Sequence, residues 1–250
     1  MEEMTKRVLT PEDIAYMLEP SVLHLDTSIK DVDEMIRVVK EYGCRVCFCW
    51  PCYYEYVTEK LKGSCCRLGT SLAFPSGQES TKLKVWQAKD WAVLDPVVND
   101  MVMNVGLLKA GQYDECLADI KAVREAAPDA DLKVIIEAML LTDDEIRKAC
   151  ELTMAGGADY VKTGTGFSVG KPTRLHHVKV IKDYVGDRIK IKVAGGVREL
   201  DTLLKMYKLG ACRFGIGLAA AEKILQQARD FGRPIDIDKD VVITPEELEM

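Results

Sequence analysis

The chain has 250 residues, 48% hydrophobic and 30% charged, a composition that supplies a full buried core and excludes a disordered chain. Lys and Arg number 34 against 40 Asp and Glu, a net charge of -6, which argues against a general binder of nucleic acid or anionic membrane. An anionic substrate then has to be met by a local basic or amide-lined pocket. No run approaches the roughly 18 apolar residues that a membrane helix needs. The opening MEEMTKRVLTPEDIAYML carries acids where a secretion signal has a basic segment. The sequence therefore reads as cytoplasmic, with its nine cysteines as reduced thiols rather than a disulfide framework.

In chain order, a short helix is expected over residues 11–18. Eight short apolar, β-branched runs follow, at 22–26, 45–49, 67–74, 100–105, 132–138, 160–166, 189–194 and 213–217. Amphipathic helical stretches lie between them, among them DVDEMIRVVKEYG, QYDECLADIKAVREAA and TDDEIRKACELTMAGG. Several end in glycine (Gly43, Gly186, Gly210), as a helix C-terminus does. Alternation of this kind implies parallel strands with right-handed crossovers. In one domain of 250 residues the economical solution is an α/β fold closed as a (β/α)8 TIM barrel, with a tail from about 234 to 250. An open doubly wound sheet is the alternative, but no G-x-G-x-x-G follows the first run.

Chemistry in such a barrel sits at the C-terminal ends of the strands. Lys162 and Lys192 fall late in the sixth and seventh runs. Lysine is rare in buried strands because burying an ammonium is costly. Each alone reads as a side chain snorkelling from a strand end. Two at equal heights on neighbouring strands repel, so one pKa falls and a neutral amine becomes available for Schiff-base chemistry. Lys190 shares the parity of Lys192 one pleat earlier and reads as structural. Asp100 suits proton transfer or an ion pair with a barrel lysine. Glu137 is a second candidate for a buried carboxylate, and Lys133 is a further cation.

Glycines mark the next site. GTGFSVGKPT follows the sixth run, AGGVR the seventh, and the eighth ends in FGIGLA. Gly195, Gly196, Gly215 and Gly217 permit the close backbone approach of a phosphate, with Arg198 or Lys171 adding charge. The cysteines Cys44, Cys47, Cys49 and Cys52 form two C-x2-C units, yet the pattern opposes zinc. Cys47 and Cys49 share one face of a strand roughly 6.6 Å apart, whereas a tetrahedral site needs turns. They read as small core residues. His24, His176 and His177 form no constellation.

These residues carry a resemblance. NDMVMNVGLLKAGQYD, LKVIIEAMLLTDDE, ACELTMAGGADYVKTGTGFSVG and IKVAGGVR, with weaker support from LAFPSG and VWQAKDWA, resemble the deoxyribose-phosphate aldolase family over about residues 22–218. The resemblance implies a class I aldolase that splits 2-deoxyribose 5-phosphate into acetaldehyde and glyceraldehyde 3-phosphate without metal or cofactor. It implies Lys162 as the Schiff-base lysine, Lys192 as the lysine that depresses its pKa, and Asp100 as the proton relay through water. Gly166, Gly195, Gly196 and Gly215 fall on the phosphate cradle. It also implies partners limited to a small aldehyde and a sugar phosphate, and a homo-oligomer.

Four departures stand out. The family's Asp-His-Thr in its first strand meets Leu25-Asp26-Thr27 here, with Thr27 matching. Ser-Thr-Gly after the sixth strand is Gly164-Thr165-Gly166. Gly217 and Leu218 replace two phosphate-binding serines, and the tail lacks a terminal Tyr. An aldolase whose preference is shifted toward less phosphorylated aldehydes is therefore expected. The alternatives are a related Schiff-base lyase with another acceptor, a non-catalytic sugar-phosphate-binding barrel, and a metal or redox protein built on the cysteines.

Overall fold

The structure, a computed structural model, describes residues 6–168 and 170–249. Met1–Thr5 of the opening segment, Val169 of the loop after the sixth run and Met250 of the tail lie outside the described residues. Strand β1 (Val8–Leu9) leads directly into helix α1 (Pro11–Met17). The Thr10 hydroxyl accepts from the Asp13 amide while the Asp13 carboxylate accepts from the Thr10 amide, and Pro11 takes the first helical position. Strand β2 (Leu18–Val22) begins with no linker, and α2 (Ile29–Tyr42) ends at Gly43, whose φ of 75° only glycine adopts freely. The alternation continues through β3 (Val46–Cys49), α3 (Tyr54–Leu61), β4 (Arg67–Leu72), α4 (Thr81–Trp91), β5 (Val98–Val102), α5 (Val105–Lys109), α6 (Tyr113–Ala126) and β6 (Asp131–Ile135). It ends with α7 (Asp143–Ala155), β7 (Tyr160–Lys162), α8 (Leu175–Val185), β8 (Lys190–Ala194), α9 (Leu200–Lys208), β9 (Arg213–Gly217) and α10 (Leu218–Asp230).

Strands β2 to β9 close into one parallel barrel in chain order, the (β/α)8 architecture that the alternation implies. The end of the chain returns to its start. Strand β10 (Ile235–Asp236) pairs antiparallel with β1, and α11 (Pro245–Glu249) packs on α8, with Glu247 2.6 Å from Lys205 of α9. Among the described residues no helix is long and apolar enough to cross a membrane.

One strand lies elsewhere than its sequence pattern suggested. The first barrel strand is Leu18–Val22, not 22–26; Leu25 and Asp26 form a turn. The pattern misled because α1 passes into the strand without turn residues, and because Pro20 makes LEPSV a poor strand signal. The comparison of Leu25-Asp26-Thr27 with the family's Asp-His-Thr falls with it. The observed strand instead carries an acid at Glu19 and a hydroxyl at Ser21, with Pro20 between them.

Strand alternation divides the residues into two sets. Leu68, Met101, Val134, Val161, Ile191 and Phe214 face the helices in the main core. The opposite set faces the barrel axis and is unusually polar: Glu19, Asp100, Lys133, Lys162, Lys192 and Arg213 are all buried there. Val46, Phe48 and Val98 form a small apolar cluster of their own. The Phe48 ring rests on Gly69, where a methyl group would sit 2.4 Å from ring carbon Cζ. Gly69→Ala should therefore overpack the barrel, at a cost of about 1–3 kcal/mol, and thermal melting should show a lowered Tm.

Lys84 of α4 adds an outer brace. Fully buried, it pairs with Asp119 of α6 at 2.6 Å and donates to the Val102 carbonyl at 3.0 Å, which fixes the end of the strand that carries Asp100.

Candidate active site

Parallel pairing brings the chemical residues to one height. Lys162 is directly opposite Lys192 across β7 and β8, and Asp100 is opposite Lys133 across β5 and β6. All four point to the barrel axis and meet there. Asp100 Oδ2 lies 2.7 Å from Lys162 Nζ and 2.5 Å from Lys192 Nζ. Glu19 accepts from Lys133 at 2.5 Å and also touches Lys192 Nζ. Three lysines thus share two carboxylates, leaving one positive charge in excess. Lys192 contacts both carboxylates, whereas Lys162 and Lys133 each contact one.

That asymmetry orders the proton affinities. Burial pushes Lys162 down to about 8; the Lys192 charge adds to the shift, and Asp100 only partly opposes it. Lys133 is also lowered, chiefly by burial. For Lys192 burial acts the same way, but Asp100 and Glu19 together outweigh it and hold its charge above the usual lysine range. Burial disfavours both carboxylates, yet the lysines hold Asp100 and Glu19 below the usual carboxylate range. Asp100 Oδ1 is buried and has no hydrogen-bond partner among the described residues, so one oxygen of the shared carboxylate is free to accept a proton. The Phe48 ring forms an apolar wall, its centroid 4.2 Å from Lys192 Nζ and 5.8 Å from Lys162 Nζ.

Above the cluster opens a cleft of about 750 Å³. Thr27, Thr165, Gly166, Gly195, Gly196, Arg198, Gly215 and Gly217 all line it, as do Ser21 and His24. Lys162, Lys192 and Asp100 do not line it but lie beneath: a methyl on Gly215 would sit 3.2 Å from Lys192 Cε. Thr27 reaches the cleft from the loop after β2, and its carbonyl accepts from the Tyr53 hydroxyl at 3.1 Å. Lys171 is exposed and outside the lining. Gly166 and Gly195 hold φ values of 85° and 86°, and their backbones lie against each other at the edge of the cleft. Helix α10 starts at the same place, with no side-chain cap and no acid in its first turn, an arrangement that favours an anion.

The loop after β7 is held from below by Glu137. Its carboxylate accepts from the Thr165 amide and, at 2.6 Å, from the Ser168 hydroxyl. Glu137 itself adopts φ 50° beyond the end of β6. It is thus a loop brace rather than a member of the lysine cluster. Lys190 lies over the Tyr160 ring at 5.0 Å, lower in the barrel.

Sequence reasoning missed Glu19 and Phe48. Glu19 did leave a signal, as the only Asp, Glu, Lys or Arg between Asp13 and Asp26. Of the four clustered cysteines, Cys44, Cys47 and Cys49 are core residues, with Cys47 and Cys49 facing the helices. Cys52, expected in the core, is exposed because it falls in the turn Pro51–Tyr53 after β3. Burial pushes Cys44 and Cys49 up to about 12. Among the described residues no group of three or more His, Cys, Asp or Glu is placed to hold a metal ion.

Comparison with known proteins agrees with this geometry. The DeoC/LacD family aldolase profile matches residues 12–227. Deoxyribose-phosphate aldolase of Staphylococcus epidermidis is 40% identical over 212 residues, covering 85% of this chain and 95% of that protein. The enzyme of the same name from Carboxydothermus hydrogenoformans is 39% identical, over 81% of this chain and 90% of its own. Among solved structures, a provisionally named deoxyribose-phosphate aldolase from Coccidioides immitis superposes with a TM-score of 0.84 at 33% identity, covering 90% of this chain and 89% of that one. The chain belongs to the DeoC/LacD aldolase family.

Proposed function

We propose that the chain is a class I aldolase that reversibly cleaves 2-deoxyribose 5-phosphate to acetaldehyde and glyceraldehyde 3-phosphate. The observation that carries this reading is Lys162, a buried amine with its pKa lowered to about 8, in register with a second lysine and sharing one carboxylate with it. Its neutral form attacks the C1 aldehyde, and loss of water gives an iminium ion. A proton leaves the C3 hydroxyl, the C2–C3 bond breaks, and its electron pair flows into the iminium to form an enamine. Glyceraldehyde 3-phosphate departs. The enamine is then protonated at carbon, and hydrolysis frees acetaldehyde and the Lys162 amine. Asp100, with one oxygen on the two lysines and the other open, moves these protons, directly or through water. Lys192 keeps its charge throughout and holds Lys162 low.

The phosphate of this substrate rests on the amides of Gly166, Gly195, Gly196, Gly215 and Gly217, with Thr165 and Thr27 at the rim and Arg198 supplying charge. Asp26, Asp31 and Glu34 also line the cleft, and no hydroxyl stands at Gly217 or Leu218. This supports a preference shifted toward less phosphorylated aldehydes. A clear preference for 2-deoxyribose 5-phosphate over 2-deoxyribose would remove that part. Losing Arg198 removes a charged hydrogen bond worth about 1.5–3 kcal/mol, so Arg198→Ala should raise KM for the phosphorylated sugar by roughly 10- to 150-fold. KM for 2-deoxyribose should stay the same in steady-state assays.

The experiment that tests the reading is borohydride reduction in the presence of acetaldehyde, 2-deoxyribose or its 5-phosphate, followed by peptide mass spectrometry. An adduct on Lys162, lost in Lys162→Ala, is the expected result. No adduct with any of the three overturns the assignment and favours a non-catalytic barrel or another carbonyl donor. The reading also carries a cytoplasmic setting, in keeping with seven buried free cysteines, and a homo-oligomer, which light scattering measures. A relative at 23% identity, from Aeropyrum pernix, is described as tetrameric.

A further inference from the structure

Three aromatic side chains from three separate loops meet at the barrel mouth. Trp50 follows β3, Phe74 follows β4 and Phe167 follows β7. In the closed ring β2 to β9, β3 and β7 stand four strands apart, on opposite sides of the axis. The rings nevertheless touch. Their centroids are 6.0 Å apart for Trp50–Phe74, 6.1 Å for Trp50–Phe167 and 5.2 Å for Phe74–Phe167, all edge to face. They therefore span the mouth.

Each is anchored. Trp50 Nε1 donates to the His24 carbonyl at 2.8 Å. The residue before Phe74, Ala73, donates its amide to Gln87 Oε1 at 3.0 Å, and its carbonyl accepts from the Gly77 amide at 2.7 Å. The Phe167 amide donates to the Thr165 hydroxyl at 3.1 Å.

Trp50, one residue beyond the end of β3 and still extended, continues the alternation from Phe48, whose ring already walls Lys162. Phe167, by contrast, lines the polar cleft. The rings thus stand between two environments. On one side is the buried amine with the Phe48 ring beside it, and on the other the glycine-lined cleft.

We propose that Trp50, Phe74 and Phe167 form an apolar roof that sets the size of the carbonyl donor attached to Lys162. The roof leaves room for a two-carbon fragment and rejects substituents on it, while the acceptor aldehyde takes the open cleft. This inference rests on Schiff-base chemistry at Lys162.

The test compares donors of increasing size (acetaldehyde, propanal and butanone) by the rate of borohydride-trapped adduct on Lys162. It uses the native chain and the variants Phe167→Ala, Phe167→Leu and Trp50→Ala. Phe167 is 37% exposed, so its truncation leaves the core intact, and thermal melting checks this. Opening the roof should raise the butanone-to-acetaldehyde ratio at least about tenfold, the scale one methylene carries in an apolar pocket. Phe167→Leu should fall between Phe167→Ala and the native chain. Adducts on the native chain with unchanged ratios in folded Phe167→Ala and Trp50→Ala would overturn the roof alone. No adduct on the native chain with any donor would overturn the aldolase reading, and the roof with it.

Discussion

Lys162→Arg should fold normally yet turn over on the order of 10⁴-fold or more slowly, the scale of removing a covalent nucleophile. The guanidinium keeps the positive charge beside Asp100, so the buried ion pairs survive. It cannot deprotonate near neutral pH and forms no iminium. Steady-state cleavage assays and borohydride trapping together check this, and full activity with arginine would end the Schiff-base reading. The native chain should show a matching pH signature. With Lys162 lowered to about 8, the rate of adduct formation should rise with pH through about 8 and then level off. Stability follows the same group. Between about 8 and the ordinary lysine value the unfolded chain holds a proton that the folded chain lacks, so the Lys162 contribution makes stability rise with pH across that window.

Asp100→Asn should cost both stability and rate. Removing one member of a buried ion pair typically costs about 3–5 kcal/mol, because the remaining charges lose their partner. Here Lys162 and Lys192 would face each other without the carboxylate that bridges them. Proton transfer by a placed side chain contributes roughly 10²–10⁴-fold, and kcat should fall by that order. The pH profile separates this role from a merely structural one. Asp100 holds the Lys162 pKa up against burial and Lys192, so in Asp100→Asn the rising limb should move below 8. A limb left at 8 would mean that the carboxylate does not act on the amine.

Much of this site was legible in the sequence because strands alternate with a period of two. A lysine in an apolar run draws notice, and two in neighbouring runs suggest contact; the direct pairing of Lys162 with Lys192 follows from that logic. The glycine clusters were legible for a similar reason, since several fall where barrel loops meet.

Glu19 was not legible because its strand has no turn before it and contains a proline, so the pattern placed the strand four residues late. Phe48 reads as one more apolar core residue; only the barrel's closure shows that it faces Lys162 and Lys192. The aromatic contact across the mouth was beyond the sequence altogether. Trp50 and Phe167 are 117 positions apart, and nothing local to either marks the other.

The arrangement of three lysines on two carboxylates has one further consequence. Amine protonation and iminium formation put the same unit charge on the same nitrogen. The surrounding dipoles and carboxylates, fixed by folding, therefore meet an unchanged field when the protonated resting site becomes the covalent intermediate. In water that exchange would require solvent to reorient; in the barrel the environment is already preorganised. The energetic cost of keeping five charged groups out of water is met once, during folding, rather than at every turnover.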